Sequence, residues 1–169
     1  MTAVGQVKRA VAAAIKAAGC AAIESYSEEQ LKRYATAVAA VGTKETVIEE
    51  SGAIEYLGEK VDEMTQEMVA VYGRKMLLTL LIEVYAPRTM GAAGCEEAAE
   101  TITQAMMTAL PEGLKLGSLQ WGKTGWDKTT GMFRLDASAK YAAYFVAEAA
   151  EDETVFTDFV LKGTVKERE

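Results

Sequence analysis

The chain contains no histidine among its 169 residues. Histidine is the only side chain whose unperturbed pKa lies near neutral pH, and it is the commonest metal ligand in proteins. Its absence excludes triads with a histidine base, zinc and iron sites that use histidine, and proton shuttles through imidazole. Carboxylate, lysine and phosphate chemistry would remain. The composition therefore predicts a protein that binds or assembles, and we expect no catalytic residue, no cofactor and no metal site.

Proline and cysteine are also scarce. The two prolines, Pro87 and Pro111, accompany no stretch rich in glycine or serine, so the sequence shows no domain linker. We expect residues 1–169 to form one domain, as their number suits. Cys20 and Cys95 lie far apart, which excludes the usual zinc spacing and the C-x-x-C redox motif. We expect both to be buried free thiols in a reducing compartment.

Basic residues are outnumbered, with 18 lysines and arginines against 25 acidic residues and a net charge of −7. An acidic chain lacks the electrostatic footprint of a nucleic-acid-binding protein. No apolar run approaches the ~20 residues that span a membrane. We therefore expect neither specific nucleic-acid binding nor membrane insertion.

The N-terminal region has a weak likeness to a bacterial lipoprotein signal. Lys8 and Arg9 precede an apolar stretch, and Cys20 follows two alanines and a glycine. However, only six weakly apolar residues precede Lys16, whereas the apolar part of a signal needs about 7–15. A small periplasmic lipoprotein is therefore kept only as an alternative.

Hydrophobic periodicity divides the chain into helices and strands. Apolar residues at helical spacing predict a helix over residues 4–18 that Gly19 ends, and another over residues 95–110. A capping-box pattern at Ser27 predicts a further turn of helix. Gly42 is a candidate bulge in the first strand. The predicted strands cover residues 37–50, 76–86, 114–121, 132–148 and 155–165.

The segment 76–86 is the strongest strand, because it is apolar on nearly both faces, and it belongs at the centre of a sheet. Alanines in residues 137–149 also allow a helix, so helix and strand both stay open there. The order of elements predicts an α+β fold: a mainly antiparallel sheet of about five strands with two main helices packed on it.

Residues 51–72 show no sustained period, and we interpret them as a long, partly mobile excursion. Long loops in compact domains are uncommon and tend to be functional. We expect this segment to order on a partner, with its acidic side chains towards solvent or a lumen. The candidate assembly contacts are Ile54, Leu57, Met64, Met68 and Val69. The candidate acidic face consists of Glu59, Asp62, Glu63 and Glu67.

One catalytic motif matches literally: residues 117–124 fit the phosphate-binding loop G-x-x-x-x-G-K-[ST]. That loop requires a helix directly after it, whose N-terminus faces the anion. A glycine-rich turn without a helical period follows here instead. We interpret the match as structural, and a nucleotide-binding module stays an alternative. Its fixed positions are Gly117, Gly122, Lys123 and Thr124.

The order of these pieces resembles a known family. Residues 72–75 enter a long central strand that closes at residues 85–87, and a helix follows at Gly94-Cys95. Residues 131–134 open the next strand, and residues 156–163 form the last. This arrangement is similar to that of the phage tail terminator (tail-completion) proteins and related small structural proteins of phages and prophages.

The resemblance implies a small α/β domain that assembles as a hexameric ring. Such a ring caps the tail tube and joins it to the head, so the implied partners are further copies of the chain, a tail tube protein and a head–tail connector. It implies a location in the virion, and in the host bacterial cytoplasm during assembly. It implies no catalytic residue.

Overall fold

The structure is a computed structural model that describes residues 3–50, 55–150 and 153–155. These residues form an α+β fold with three helices and eight strand segments in one mixed sheet. The elements are α1 (Ala3–Ala17), β1 (Ala21–Ile23), α2 (Glu28–Leu31), β2 (Val38–Glu49), β3 (Tyr56–Val61), β4 (Met68–Ala86), α3 (Gly91–Thr108), β5 (Lys115–Trp121), β6 (Gly125–Asp127), β7 (Met132–Ala150) and β8 (Glu153–Val155). The predicted α+β class is confirmed.

Five strands form the body of the sheet, in the order β1-β2-β4-β7-β5. The short segment β3 pairs with β4, and β6 and β8 pair with β7. Every pair is antiparallel except β1 with β2. The sheet is therefore mainly antiparallel, with three more segments than expected. The third helix, α2, is a single turn that Ser27 caps by accepting a hydrogen bond from the Gln30 backbone N–H.

The opening helix α1 ends as its sequence indicates. The Gly19 N–H donates to the Lys16 carbonyl, and the Cys20 N–H donates to that of Ile15. This pair of hydrogen bonds is a Schellman motif, which requires a left-handed residue, and Gly19 has φ +96°. The stop lets the chain turn back into β1 while α1 stays packed on the sheet.

The main core lies between the sheet and the two long helices. We call the sheet face that α1 and α3 cover the inner face, and the opposite one the outer face. Val11 and Ile15 of α1 and Ile102 of α3 are fully buried there. β4 contributes alternate residues to this core, as its pattern predicted: Met76, Leu78, Leu80, Ile82 and Val84.

Both cysteines are buried free thiols, as expected from the sequence. The Cys95 thiol lies under α3 and donates weakly to the carbonyl oxygens of Val84 and Phe133. Burial raises the pKa of Cys95 to about 11. Only the thiolate is a strong nucleophile, so this thiol is chemically quiet at neutral pH.

Three predicted details of the sheet need correction or completion. Gly42 pairs regularly with Leu81, and the register shift lies between Thr43 and Glu45, so Lys44 is the inserted residue. The predicted bulge at Gly42 is therefore wrong by two positions. Residues 137–149 are strand throughout, because they belong to β7. The predicted last strand begins as β8, and its remainder lies outside the described residues.

The interpretation of residues 51–72 as a loop is wrong where the structure describes them. Residues 56–61 form β3 and residues 68–72 begin β4, so the two strands make a hairpin. The alternation is weak in the sequence because few side chains of this hairpin are buried, so no apolar face was selected. Its mobility in the free subunit stays a prediction, and residues 51–54 lie outside the described residues.

The hairpin extends beyond the helices, and we call it the arm: β3, residues 62–67 and residues 68–75 of β4. The inner face of β4 is buried from Met76 onward, whereas Arg74 and Met68 on the same face are exposed. β4 has 19 residues and is about 60 Å long, while α3 with 18 residues is about 27 Å. The helix layer thus leaves a large part of the sheet uncovered.

The two faces of β4 predict unequal costs of truncation. Leu80 points into the core and is fully buried, so Leu80→Ala should cost about 2–5 kcal/mol of unfolding free energy by transfer and cavity terms. Leu81, its neighbour on the outer face, is half-buried and serves as the matched control. Urea denaturation measures both. Equal losses would contradict the assignment of Leu80 to the main core and of Leu81 to a less buried position on the opposite face.

Candidate functional site

The phosphate-loop match lies in strands and turns rather than at a helix. Gly117 belongs to β5, and Lys123 and Thr124 lie between β5 and β6. Strands and turns follow through residue 150 without a helix. The Gly122 N–H already donates to the Asp136 carbonyl at 2.8 Å, so it does not point at a bound anion. This geometry agrees with the structural interpretation of the motif.

We therefore expect no specific nucleotide binding at this turn. Calorimetry with ATP and Mg²⁺ should give no heat of binding, because neither a helix N-terminus nor a set of convergent backbone N–H groups is present. Lys123 is exposed, so Lys123→Ala should not disturb the fold, and it serves as the control for any heat that the motif itself would give. Micromolar binding that this substitution abolishes would reverse the interpretation.

The tip of the arm is a turn closed by hydrogen bonds. The Asp62 carboxylate accepts hydrogen bonds from the backbone N–H groups of Met64 (2.8 Å) and Thr65 (2.9 Å). These hydrogen bonds hold the pKa of Asp62 below its ordinary value. Backbone hydrogen bonds from Asp62 to Glu67 and from Gln66 to Asp62 close the turn. The turn therefore gives Met64 a defined position.

The structure places the candidate assembly contacts differently from one another. Met64 is 94% exposed at the tip, Met68 is 61% exposed beside it, and Val69 is half-buried. Leu57 is buried against Val71 of the same arm, so it stabilises the arm rather than presenting surface. Ile54 lies outside the described residues.

The candidate acidic residues gather on the arm. Glu59, Glu63 and Glu67 are exposed, and Asp62 is half-buried where it caps the turn. Among the described residues, no group of three or more acidic or cysteine side chains is placed to hold a metal ion. The cluster acts as a solvated acidic surface around the apolar tip.

A second polar group lies at the other end of the sheet, on its outer face. The Arg134 guanidinium donates to Glu83 at 2.6 Å and to both carboxylate oxygens of Asp136, at 2.7 and 2.9 Å. The Tyr85 hydroxyl donates to Glu83 at 3.3 Å. These residues tie β4 to β7 by side chains as well as by backbone pairing.

Burial decides the protonation behaviour of this group. Desolvation raises the pKa of Glu83 above its ordinary value, and the charge of Arg134 opposes that effect. Desolvation also raises the pKa of Tyr85. The hydrogen bond to Asp136 keeps Arg134 protonated. Tyr85 and Arg134 thus keep their protons at neutral pH, and the group fixes the pairing of the two strands.

Removing the arginine tests this pairing. Arg134→Met leaves the buried Glu83 carboxylate with Tyr85 as its remaining partner, so we expect a loss of about 1–3 kcal/mol in unfolding free energy. Adding Glu83→Gln should recover part of the loss, because an amide costs less to bury than a charge. Asp136→Asn, at a more exposed partner, should cost less. If Arg134→Met and Asp136→Asn lower the unfolding free energy equally, Glu83 is not the acceptor on which the pairing depends.

The sequence contained only part of this information. Glu83 lies within the predicted central strand 76–86, and Arg134 and Asp136 alternate with apolar residues in the predicted strand 132–148. What the sequence lacked was the register: Glu83 pairs with Asp136 and Tyr85 pairs with Arg134. The available signal was that each strand carries two polar residues two positions apart: Glu83 and Tyr85 in one, Arg134 and Asp136 in the other.

No protein-family model matches the chain, and no curated protein is similar to it at a significant level. In the part of the chain that the structure describes, no helix is both long and apolar enough to cross a membrane.

Proposed function

We propose that this chain is a phage or prophage virion structural protein, a tail terminator that forms a ring, caps the tail tube and joins it to the head. The observation that carries the proposal is the arm. Eight residues of β4 and all of β3 extend past the helix layer and end in exposed apolar side chains. The α+β fold is compatible with the small domain that the resemblance implies.

The arm is supported by neighbouring strands at its base and much less at its tip. β7 pairs with β4 from Val71 onward, whereas β3 alone among the described strands pairs with residues 68–70 of β4. Exposed apolar patches mark interaction sites. Val61, Met64 and Met68 form such a patch at the tip. Assembly into a ring and docking on a tail tube would both cover it. The role requires binding surfaces and no catalytic residue.

The alternatives find less support. The turn at Lys123 lacks the helix that a nucleotide site requires. A lipoprotein cleaved before Cys20 would lose α1, whose residues Val7, Val11 and Ile15 are fully buried in the core. Removing them would uncover the inner face of the sheet. No observation on the described residues favours either alternative over the structural role.

The test is the assembly state of the purified chain. Sedimentation velocity over a wide concentration range should show monomers when dilute and one closed species when concentrated, and electron microscopy should show rings. Association should strengthen as salt rises, because subunits with a net charge of −7 repel each other and salt screens that repulsion. Rings should also bind the ends of tail tubes. A monomer at every concentration, without tube binding, would refute the proposal.

A further inference from the structure

An apolar groove lies where α3 ends and β5 begins, level with the base of the arm and far from its tip. It is a cavity of about 500 Å³, lined mainly by Met106, Met107, Leu110, Leu114 and Leu116, with Lys115 at its side. Met107 is 75% exposed there, on the solvent-facing side of α3, where the neighbouring exposed residues Glu100, Gln104 and Thr108 are polar. A methionine-rich wall adapts its shape to an inserted side chain.

The groove and the tip of the arm have complementary chemistry. The tip presents one almost fully exposed apolar side chain, Met64, between the acidic residues Asp62 and Glu63 and close to Glu67. The groove presents apolar walls beside the exposed cation Lys115. Lys115 beside the hole can face the acidic residues around the knob, which orients the two surfaces, while burial of the apolar side chain stabilises the contact. The repulsion between subunits of net charge −7 outweighs this one charge pair, so association still strengthens with salt.

The two surfaces of one subunit do not reach each other. Lys115 pairs with Ala142, and Ala142 pairs with Leu77 of β4. Met68 lies nine residues along β4 from Leu77, a separation of about 30 Å. Met64 lies at the tip beyond Met68, so a groove contact must come from another molecule.

We propose that the arm tip of one subunit inserts Met64 into the Met106–Leu116 groove of the next copy of this chain. This inference rests on the proposed function, for which it supplies the subunit contact. The contact joins two different surfaces of the same chain, so it is heterologous, and heterologous contacts close into rings when the rotation between subunits allows. Each subunit would use one tip and one groove.

Two charge substitutions test the contact from its two sides. Met64→Asp changes an exposed turn residue and Met107→Glu an exposed helix residue, so both should leave the fold intact. Each should raise the ring dissociation constant by roughly tenfold or more, because a charge enters an apolar site. Ala13→Glu adds the same charge to the exposed side of α1 and should leave assembly unchanged.

Disulfide formation identifies the partners directly. Mixing Met64→Cys with Met107→Cys should give a covalent pair on oxidation, whereas Met64→Cys mixed with Ala13→Cys should not. The native thiols do not interfere because both are buried. If Met64→Asp and Met107→Glu both form normal rings and the cysteine variants do not crosslink, this contact is overturned while the proposed ring is not. If Met64→Asp forms normal rings that no longer bind tail tubes, the tip contacts the tube, and the proposed contact between subunits is also overturned. A wild-type chain that never assembles would instead refute the proposed function.

Discussion

β4 and β7 pair at sixteen consecutive positions, from Val71 with Glu148 to Ala86 with Phe133, and the rest of the fold depends on this register. Side chains on neighbouring strands share a face only when paired positions match, and a slip of one residue would turn every β7 side chain to the opposite face. The register places Leu135 and Tyr141 under the helices, while Arg134 faces outward beside Tyr85. It thereby creates the core and the polar group together.

The helix layer is shorter than the sheet it covers, and this mismatch defines the accessible surface of the chain. Where α1 and α3 lie, the inner face is closed. N-terminal to Met76 in β4, none of the described helices covers the same face as it continues into the arm. Exposed strands invite uncontrolled pairing, and charges are a common protection against it. Glu59, Glu63 and Glu67 supply that protection here while leaving Met64 accessible.

Sequence reasoning succeeded where burial was complete. The five apolar residues of β4, the stop at Gly19 and the cap at Ser27 each carry a local signal, and each was predicted correctly. It failed in the arm because half-exposed strands are under little pressure to alternate, so Val61, Met68 and Val69 gave no clear period. It could not find the Met106–Leu116 groove: its lining residues are close together in the chain, but hydrophobic periodicity does not show that their packing leaves a cavity.

The inserted residue Lys44 has a consequence for the whole molecule. A bulge increases the local right-handed twist and bends its strand. This one lies in β2 between the part covered by helices and the part that leads to the arm, and a second irregularity follows between Tyr56 and Gly58. Both distortions lie on the sheet edge beside the arm, so both contribute to the direction in which the arm leaves the domain. In a closed assembly that uses the arm, the direction of the arm helps to determine the angle between neighbouring subunits. That angle determines how many subunits close the ring, and therefore the diameter of its opening.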